Sequence, residues 1–137
     1  MFEKCIYFNS NAFVRHLNRI WDEAYKPMGL SAPHAYVLRL VCHEPGIGQT
    51  ELGEQLHLEK STVTRFISVL EDKGLLRRQA GNSGRGVSLK ATAAGKRLGK
   101  QLDQTGTDLY KQLRKQFGAD QFEALVKSIR AGIGSLS

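Results

Sequence analysis

The segment Lys60–Leu70 constrains this chain more than any other. At helical period it has two unlike faces. Val63, Phe66, Ile67 and Leu70 fall at i, i+3, i+4 and i+7, the apolar stripe of an amphipathic helix. Ser61, Thr62, Thr64, Arg65 and Ser68 lie off that stripe, short hydroxyls around one long cation, with no carboxylate before Glu71. A solvated helix face ordinarily mixes lysine with glutamate. Hydroxyls and arginine without carboxylates suit close approach to phosphates and base edges. The segment is expected to be a helix whose inner face needs a core and whose outer face needs a polyanion.

Charge supports that expectation by its position. The 137 residues carry a net charge of +7. Lys60, Arg65, Lys73, Arg77, Arg78, Arg85, Lys90, Lys96, Arg97 and Lys100 oppose only Glu71 and Asp72 between residues 60 and 100. That window nets +8, so the rest of the chain nets −1. A contiguous basic third between near-neutral flanks is the footprint of a polyanion-binding module. Membrane partners are not expected, because no apolar run approaches the ~18 residues of a span. With no signal-peptide layout at the N-terminus, a cytoplasmic location is expected. Cys5 and Cys42 are too few and too far apart for a disulfide framework or zinc ribbon.

Residues 4–26 read as a first helix, its apolar positions Ile6, Phe13, Leu17, Ile20, Trp21 and Ala24 widened by Tyr7 and Phe8 and ended by Pro27 and Gly29. Ser31 is expected to cap a second helix, with Ala35, Leu38, Val41 and Cys42 as its stripe and Pro45-Gly46 as its stop. Gly48 opens a short third helix with Leu52 and Leu56 as its buried pair and Gly53 at a close contact. His57-Leu58-Glu59 then turns the chain into Lys60–Leu70, which makes a helix-turn-helix. Glu59 is a poor cap there.

After Lys73-Gly74 the period changes. Leu75–Gln79 and Val87–Lys90 read as two strands around a glycine-rich tip that carries Arg85, a hairpin in the position of a wing. Residues 92–117 read as a long helix capped by Thr92 and weakened by Gly95, Gly99 and Gly106. A last helix follows Gly118, with Asp120 as its expected cap and Phe122, Leu125, Val126, Ile129 and Ile133 as its stripe. The fold class is mainly α with a small β-hairpin wing (α+β): a winged helix-turn-helix flanked by terminal dimerisation helices. One domain is expected, with residues 31–91 as the DNA-binding lobe and 1–30 and 92–137 as dimerisation helices. The spare apolar faces of the end helices need a partner, and a second copy is the simplest.

The chain resembles the MarR family of bacterial transcriptional regulators over about residues 8–135. Gly29-Leu30-Ser31-Ala32-Pro33-His34 resembles the family's G-L-T-x-x-Q at the start of its second helix. Glu51-Leu52-Gly53 resembles its E-L-A. Lys60-Ser61-Thr62-Val63-Thr64-Arg65 and Leu70-Glu71-Asp72-Lys73-Gly74-Leu75 resemble its recognition sequence and the L-E-x-K-G-L after it. Ala91-Thr92-Ala93-Ala94-Gly95 resembles L-T-x-x-G. His34 and Gly53 depart from the commoner Gln and Ala. Ser83-Gly84-Arg85 departs from the wing's D-x-R, so a looser wing is expected, with Asn82 as a partial substitute for the missing Asp.

The resemblance implies a sequence-specific regulator of transcription that binds a promoter operator in double-stranded DNA as a homodimer, with a small-molecule effector. It implies that the start of the fourth helix enters the major groove. Lys60, Ser61, Thr62, Thr64, Arg65 and Ser68 are the candidate base and phosphate contacts, with Gln49 and Thr50 from the third helix. Lys73, Arg77, Arg78 and Lys90 are candidate phosphate contacts and Arg85 the wing contact. Tyr7, Phe8, Trp21, Tyr25 and His34 are candidate effector-lining residues, or equally interface core. One branch of the family senses organic peroxides through a first-helix cysteine. Cys5 lies near that place, but the matching position is nearer Tyr7, and Ala32 stands where a supporting tyrosine would be. Redox sensing through Cys5 and a protein-interaction or RNA-binding winged helix remain the alternatives. His16, His34, His43 and His57 show no ligand spacing, and no Ser-His-Asp order, phosphate loop or paired carboxylates occur. No metal, cofactor or enzymatic activity is expected.

Overall fold

A computed structural model describes residues 1–81 and 86–137. The chain divides into two compact units, Met1–Asp103 and Gln104–Ser137.

In the first unit the helix α1, Ile6–Tyr25, starts where the Cys5 thiol accepts the Phe8 N–H at 3.5 Å. A 3-10 turn at Lys26–Met28 ends it, and Gly29 supplies the left-handed residue that reverses the chain. Helix α2 spans Ala32–His43. Ser31 stands at its N-cap as expected, but its hydroxyl bonds the His34 Nδ1 and leaves the backbone N–H groups of the first turn uncapped. Helix α3, Gln49–Leu56, and helix α4, Lys60–Asp72, are joined by a short turn in which His57 adopts φ 54°. Leu52 is fully buried, whereas Leu56 is only half-buried, so the expected pair is one anchor and one flank. A Cβ on Gly53 would stand 3.1 Å from Val63 Cγ2 and 3.2 Å from the Leu58 carbonyl. Glycine therefore lets α3 and α4 approach more closely than the commoner alanine would.

The end of α4 shows its chemistry clearly. Gly74, at φ 72°, lets its own N–H reach the Glu71 carbonyl and the Leu75 N–H reach the Leu70 carbonyl, both at 2.9 Å. That pair of bonds is a Schellman stop. Strand β1, Leu76–Ala80, and strand β2, Val87–Ala91, pair antiparallel from Leu76↔Ala91 to Ala80↔Val87. The other edge of β2 is held by the loop before α3: Gly46 N–H bonds the Leu89 carbonyl and Leu89 N–H bonds the Ile47 carbonyl. The hairpin is thus anchored on both sides of Leu89.

The core of this unit is Tyr25, Leu38, Val41, Ile47, Leu52, Val63, Ile67, Leu70, Leu76 and Leu89, each at most 5% exposed. Helix α5, Ala93–Phe117, starts at Thr92, whose hydroxyl accepts the Gly95 N–H and donates to the Gly74 carbonyl. The glycines of α5 do more than weaken it. A Cβ on Gly95 would collide with the Leu75 carbonyl at 1.9 Å, and one on Gly99 would stand 2.7 Å from the Cys42 Sγ. These glycines are where the helix lies flush on its neighbours, so the helix-propensity cost is exchanged for contact.

The second unit holds the rest of α5 and helix α6, Ala119–Leu136. The cap of α6 is Gly118, not Asp120, which sits one turn-position inside the helix. Phe122 packs edge-on against Tyr110 at 5.4 Å, and Arg114 bonds Glu123 at 3.0 Å. Val126, Ile129 and Ile133 remain 41–45% exposed. No helix among the described residues is long and apolar enough to cross a membrane.

Candidate nucleic-acid interface

The buried and presented faces of α4 divide where the residue pattern divides. Val63, Ile67 and Leu70 are at most 1% exposed, and Phe66 lies half-buried against the His34 ring at 4.5 Å. Lys60, Ser61 and Arg65 are exposed on the opposite side, and Arg65 is held over the Phe66 ring at 6.0 Å. Ser61 and Arg65 stand one turn apart, so they share that face.

Two hydroxyls of the same helix have other tasks. Thr64 Oγ1 accepts from Gln49 Nε2 at 2.8 Å and donates back to the Lys60 carbonyl at 3.0 Å. This bond ties α3 to α4. Ser68 Oγ accepts from an Arg78 Nη2 donor at 2.7 Å. Arg78 itself follows the strand's alternation. Arg77 pairs across the hairpin with Lys90, while Arg78 pairs with Leu89, whose side chain is buried. Arg77 and Lys90 are both exposed and carry like charges directly opposite each other. That arrangement costs stability in isolation and suits a polyanion above it. Lys73 and Thr50 are exposed, and Thr62 is half-buried. The wing tip, with Arg85, Asn82 and Ser83, lies outside the described residues.

Between α3, the start of α4 and the start of β2 lies a concavity of about 580 Å³. Thr50, His57, Leu58, Lys60 and Val63 are among its walls. It opens beside the exposed cationic face.

The five candidate effector-lining residues are not brought together. Tyr25 is in the core, with its hydroxyl accepting from Arg39 Nη1 at 3.3 Å and its acidity weakened by burial. Tyr7 is 77% exposed, and Phe8 packs on Phe2 at 5.2 Å. His34 faces α4, and burial followed by the charge of Lys73 pushes its pKa down from the usual value. Trp21 lines a hollow of about 230 Å³ shared with Leu17, Asn18, Ala32, Pro33 and Tyr36. The Trp21 indole N–H donates to the Tyr36 hydroxyl at 3.1 Å.

A cluster that residue spacing did not announce lies behind that hollow. Arg39 Nε donates to Asp103 Oδ1 and His43 Nε2 donates to Asp103 Oδ2, each at 2.8 Å. The Arg39 guanidinium also covers the Tyr36 ring at 5.3 Å. Burial alone would lower the Arg39 pKa; the Asp103 hydrogen bond and the neighbouring groups outweigh it and keep the cation firmly charged. Roughly sixty residues separate these partners in sequence, so no local motif could show them. The one signal was an arginine among the apolar residues of α2, with His43 one turn further on. Cys5 is exposed, Cys42 is half-buried, and no group of His, Cys, Asp or Glu among the described residues has metal-site geometry.

Two short helices meeting at a glycine, a presented face on the second, and a hairpin behind it define a winged helix-turn-helix protein. The MarR family model matches residues 30–87 of the chain. It is 31% identical over 81 residues to HTH-type transcriptional repressors of Mycobacterium bovis and Mycobacterium tuberculosis, an alignment covering 58% of this chain. The chain spans 58% of the length of those curated relatives. Reduced MarR from E. coli superposes with a TM-score of 0.72 at 26% identity, over 92% of this chain and 94% of that one. The fold is also that of S. aureus MepR, solved as a DNA complex (TM-score 0.87, 16% identity, 98% and 100% coverage). It is shared by PcaV from Streptomyces coelicolor, solved with its natural ligand (TM-score 0.83, 22% identity, 100% and 97% coverage).

Proposed function

We propose that the chain is a sequence-specific, double-stranded DNA-binding repressor of transcription in the cytoplasm, acting as a homodimer on a two-fold-symmetric operator. The observation that carries this reading is the exposed Lys60, Ser61 and Arg65 face of α4, beside the unneutralised Arg77–Lys90 pair. Arg65 is the residue expected to read a base edge, since a guanidinium can pair with guanine O6 and N7. Arg77, Lys90 and Lys73 are expected to meet phosphates, as are Thr50 and the N–H groups at the start of α3. The repressor names of the mycobacterial relatives and the DNA complex of MepR support the same reading.

Residues 31–91 form the DNA-binding lobe in this proposal, and 1–30 with 92–137 the dimerisation segments. The exposed stripe of α6 and the exposed Ile6, Tyr7 and Phe8 of α1 favour a second copy as partner. A two-fold dimer sets two recognition helices about 34 Å apart, one DNA turn. An effector would act by binding one spacing of those helices better than another. The hollow at Trp21 and Tyr36 is where one chain offers it apolar wall, and PcaV's bound ligand supports such a response.

Selection of bound duplexes from random DNA, repeated with candidate ligands, tests the reading. A single palindromic motif is expected, with affinity that falls steeply with salt. Arg65→Ala is expected to lose about 1–3 kcal/mol of specific affinity with the fold intact. Failure of the purified protein to bind any duplex at low salt would reject the proposal.

A further inference from the structure

Arg77 and Arg78 are adjacent arginines on one strand, so they point to opposite faces of the hairpin. Arg77 faces outward with Lys90. Arg78 turns onto α4 and engages three positions of that helix. Its Nη2 donates to Ser68 Oγ at 2.7 Å and to the Thr64 carbonyl at 3.5 Å. Its Nε lies 3.8 Å from Glu71 Oε1, and its backbone N–H donates to Glu71 Oε2 at 3.3 Å. Thr64, Ser68 and Glu71 fall at i, i+4 and i+7, one flank of the helix. Gln49 of α3 holds the same flank at Thr64. Together these contacts grip α4 from β1 and from α3, and they fix its roll about its own axis. Roll decides where Ser61 and Arg65 point, because both stand on the face next to that flank.

We propose that Arg78 is a positioning residue: it makes no contact with DNA but holds the Thr64–Ser68–Glu71 flank of α4 so that Arg65 and Ser61 face the base edges in one orientation. This rests on the DNA-binding reading above. Both Nη2 hydrogens of Arg78 are directed at α4, to Ser68 and Thr64, and the Glu71 carboxylate beside Nε balances its charge, so the guanidinium is aimed at the helix flank and is not a free cation facing outward as Arg77 is. Removing it should cost orientation, which matters for a selected operator and not for random DNA. Removing Arg77 should cost counterion release, which matters equally for both.

The experiment is a fluorescence anisotropy titration of full-length protein on the selected operator and on a random duplex, at several salt concentrations. The variants are Arg77→Ala, Arg78→Ala, Arg78→Lys, Ser68→Ala and the Arg78→Ala/Ser68→Ala double. Arg77→Ala is expected to weaken both duplexes and to reduce the slope of log K against log salt by about one. Arg78→Ala is expected to weaken operator binding about ten-fold, in line with a hydrogen bond to a charged group, and to leave the slope and the random duplex unchanged. Arg78→Lys should recover part of the loss. The double variant should be no weaker than Arg78→Ala alone, since both delete one coupled contact. A slope reduced in Arg78→Ala as in Arg77→Ala, or losses that multiply in the double, would overturn the proposal and make Arg78 a direct contact. Unchanged operator affinity would overturn it equally. If Arg78→Ala does not fold by circular dichroism, Ser68→Ala and Glu71→Gln carry the same comparison. Wild-type protein that binds no duplex rejects the DNA reading itself, a result distinct from any of these.

Discussion

Helices α4 and α6 have nearly the same residue pattern and opposite fates. Each carries an apolar stripe at spacings of three and four. In α4 the stripe is closed: Val63, Ile67 and Leu70 are buried by the chain's own helices and hairpin. In α6 it stays open, with Val126, Ile129 and Ile133 each more than two-fifths exposed. The polar faces differ as well. That of α4 has short hydroxyls and Arg65; that of α6 mixes Glu123, Lys127 and Arg130, as a solvated face does. An amphipathic stripe therefore states that a partner exists without saying which molecule supplies it. The stripe of the first helix is closed by the chain's own folding, and that of the second is left open by it.

The comparison can be broken at its strongest point first. Ile67→Ala should cost about 2–5 kcal/mol in urea unfolding, since it empties a filled core site. Ile129→Ala, at protein concentrations where the chain is a monomer, should change stability by only about 0.5 kcal/mol or less. Equal costs would mean that α6 is as fully packed as α4. The paired substitution Ile129→Glu and Ile133→Glu should raise the dimer dissociation constant by roughly a hundred-fold, about 2.7 kcal/mol, while circular dichroism keeps its helical signal. Sedimentation velocity that shows an unchanged species would remove α6 from the assembly surface. Gly99→Ala, where the added carbon meets Cys42, should cost about 1–3 kcal/mol; a neutral result would show that α5 can move away freely.

The smallest expected effect is on the face of α4 itself. His34 Nε2 is buried without a hydrogen-bond partner among the described residues, with Phe66 and the charge of Lys73 beside it. Its pKa is lowered in the folded chain, so the unfolded chain takes up the proton first as pH falls. The contribution of His34 is therefore present above the ordinary value of about 6.5 and is lost as acidification passes below it. The urea midpoint of the wild type should drop between pH 7 and pH 5.5 slightly more than that of His34→Gln. Parallel midpoints would show that the ring is free to charge in place.

What was legible in the residues follows the same division. The stripe of α4, the stop at Gly74, the cap at Thr92 and the close contact at Gly53 are local patterns with local causes, and the fold follows from them. The fates of Arg77 and Arg78 were not legible. Two neighbouring arginines look alike until the register of the hairpin assigns them to opposite faces, and a glycine-rich tip does not fix that register. Gly95 and Gly99 read as helix weakeners because propensity is a property of one residue, while their value lies in what packs on them. The Arg39–Asp103–His43 cluster joins α2 to α5 across some sixty residues, a distance over which no spacing rule operates. Of the candidate site, the outward Lys60, Ser61 and Arg65 were readable from period and charge. The bonded states of Thr64 and Ser68 required coordinates.

The flush contact at Gly99 also makes the chain its own stopwatch. Cys42 Sγ has no room on that side for even one more atom, its thiol leans on the Gly95 carbonyl at 3.7 Å, and burial, with the charge of Asp103, makes it a poorer acid than a free cysteine. A thiol reagent therefore meets the half-buried Cys42 more slowly, with its Gly99 side closed while α2 and the start of α5 stay together. Cys5, exposed at the head of α1, reacts without any such event. In a single mixing experiment the fast label calibrates the reagent. The slow one then reports how strongly packing at the seam between these helices restrains Cys42, with no substitution and no attached probe.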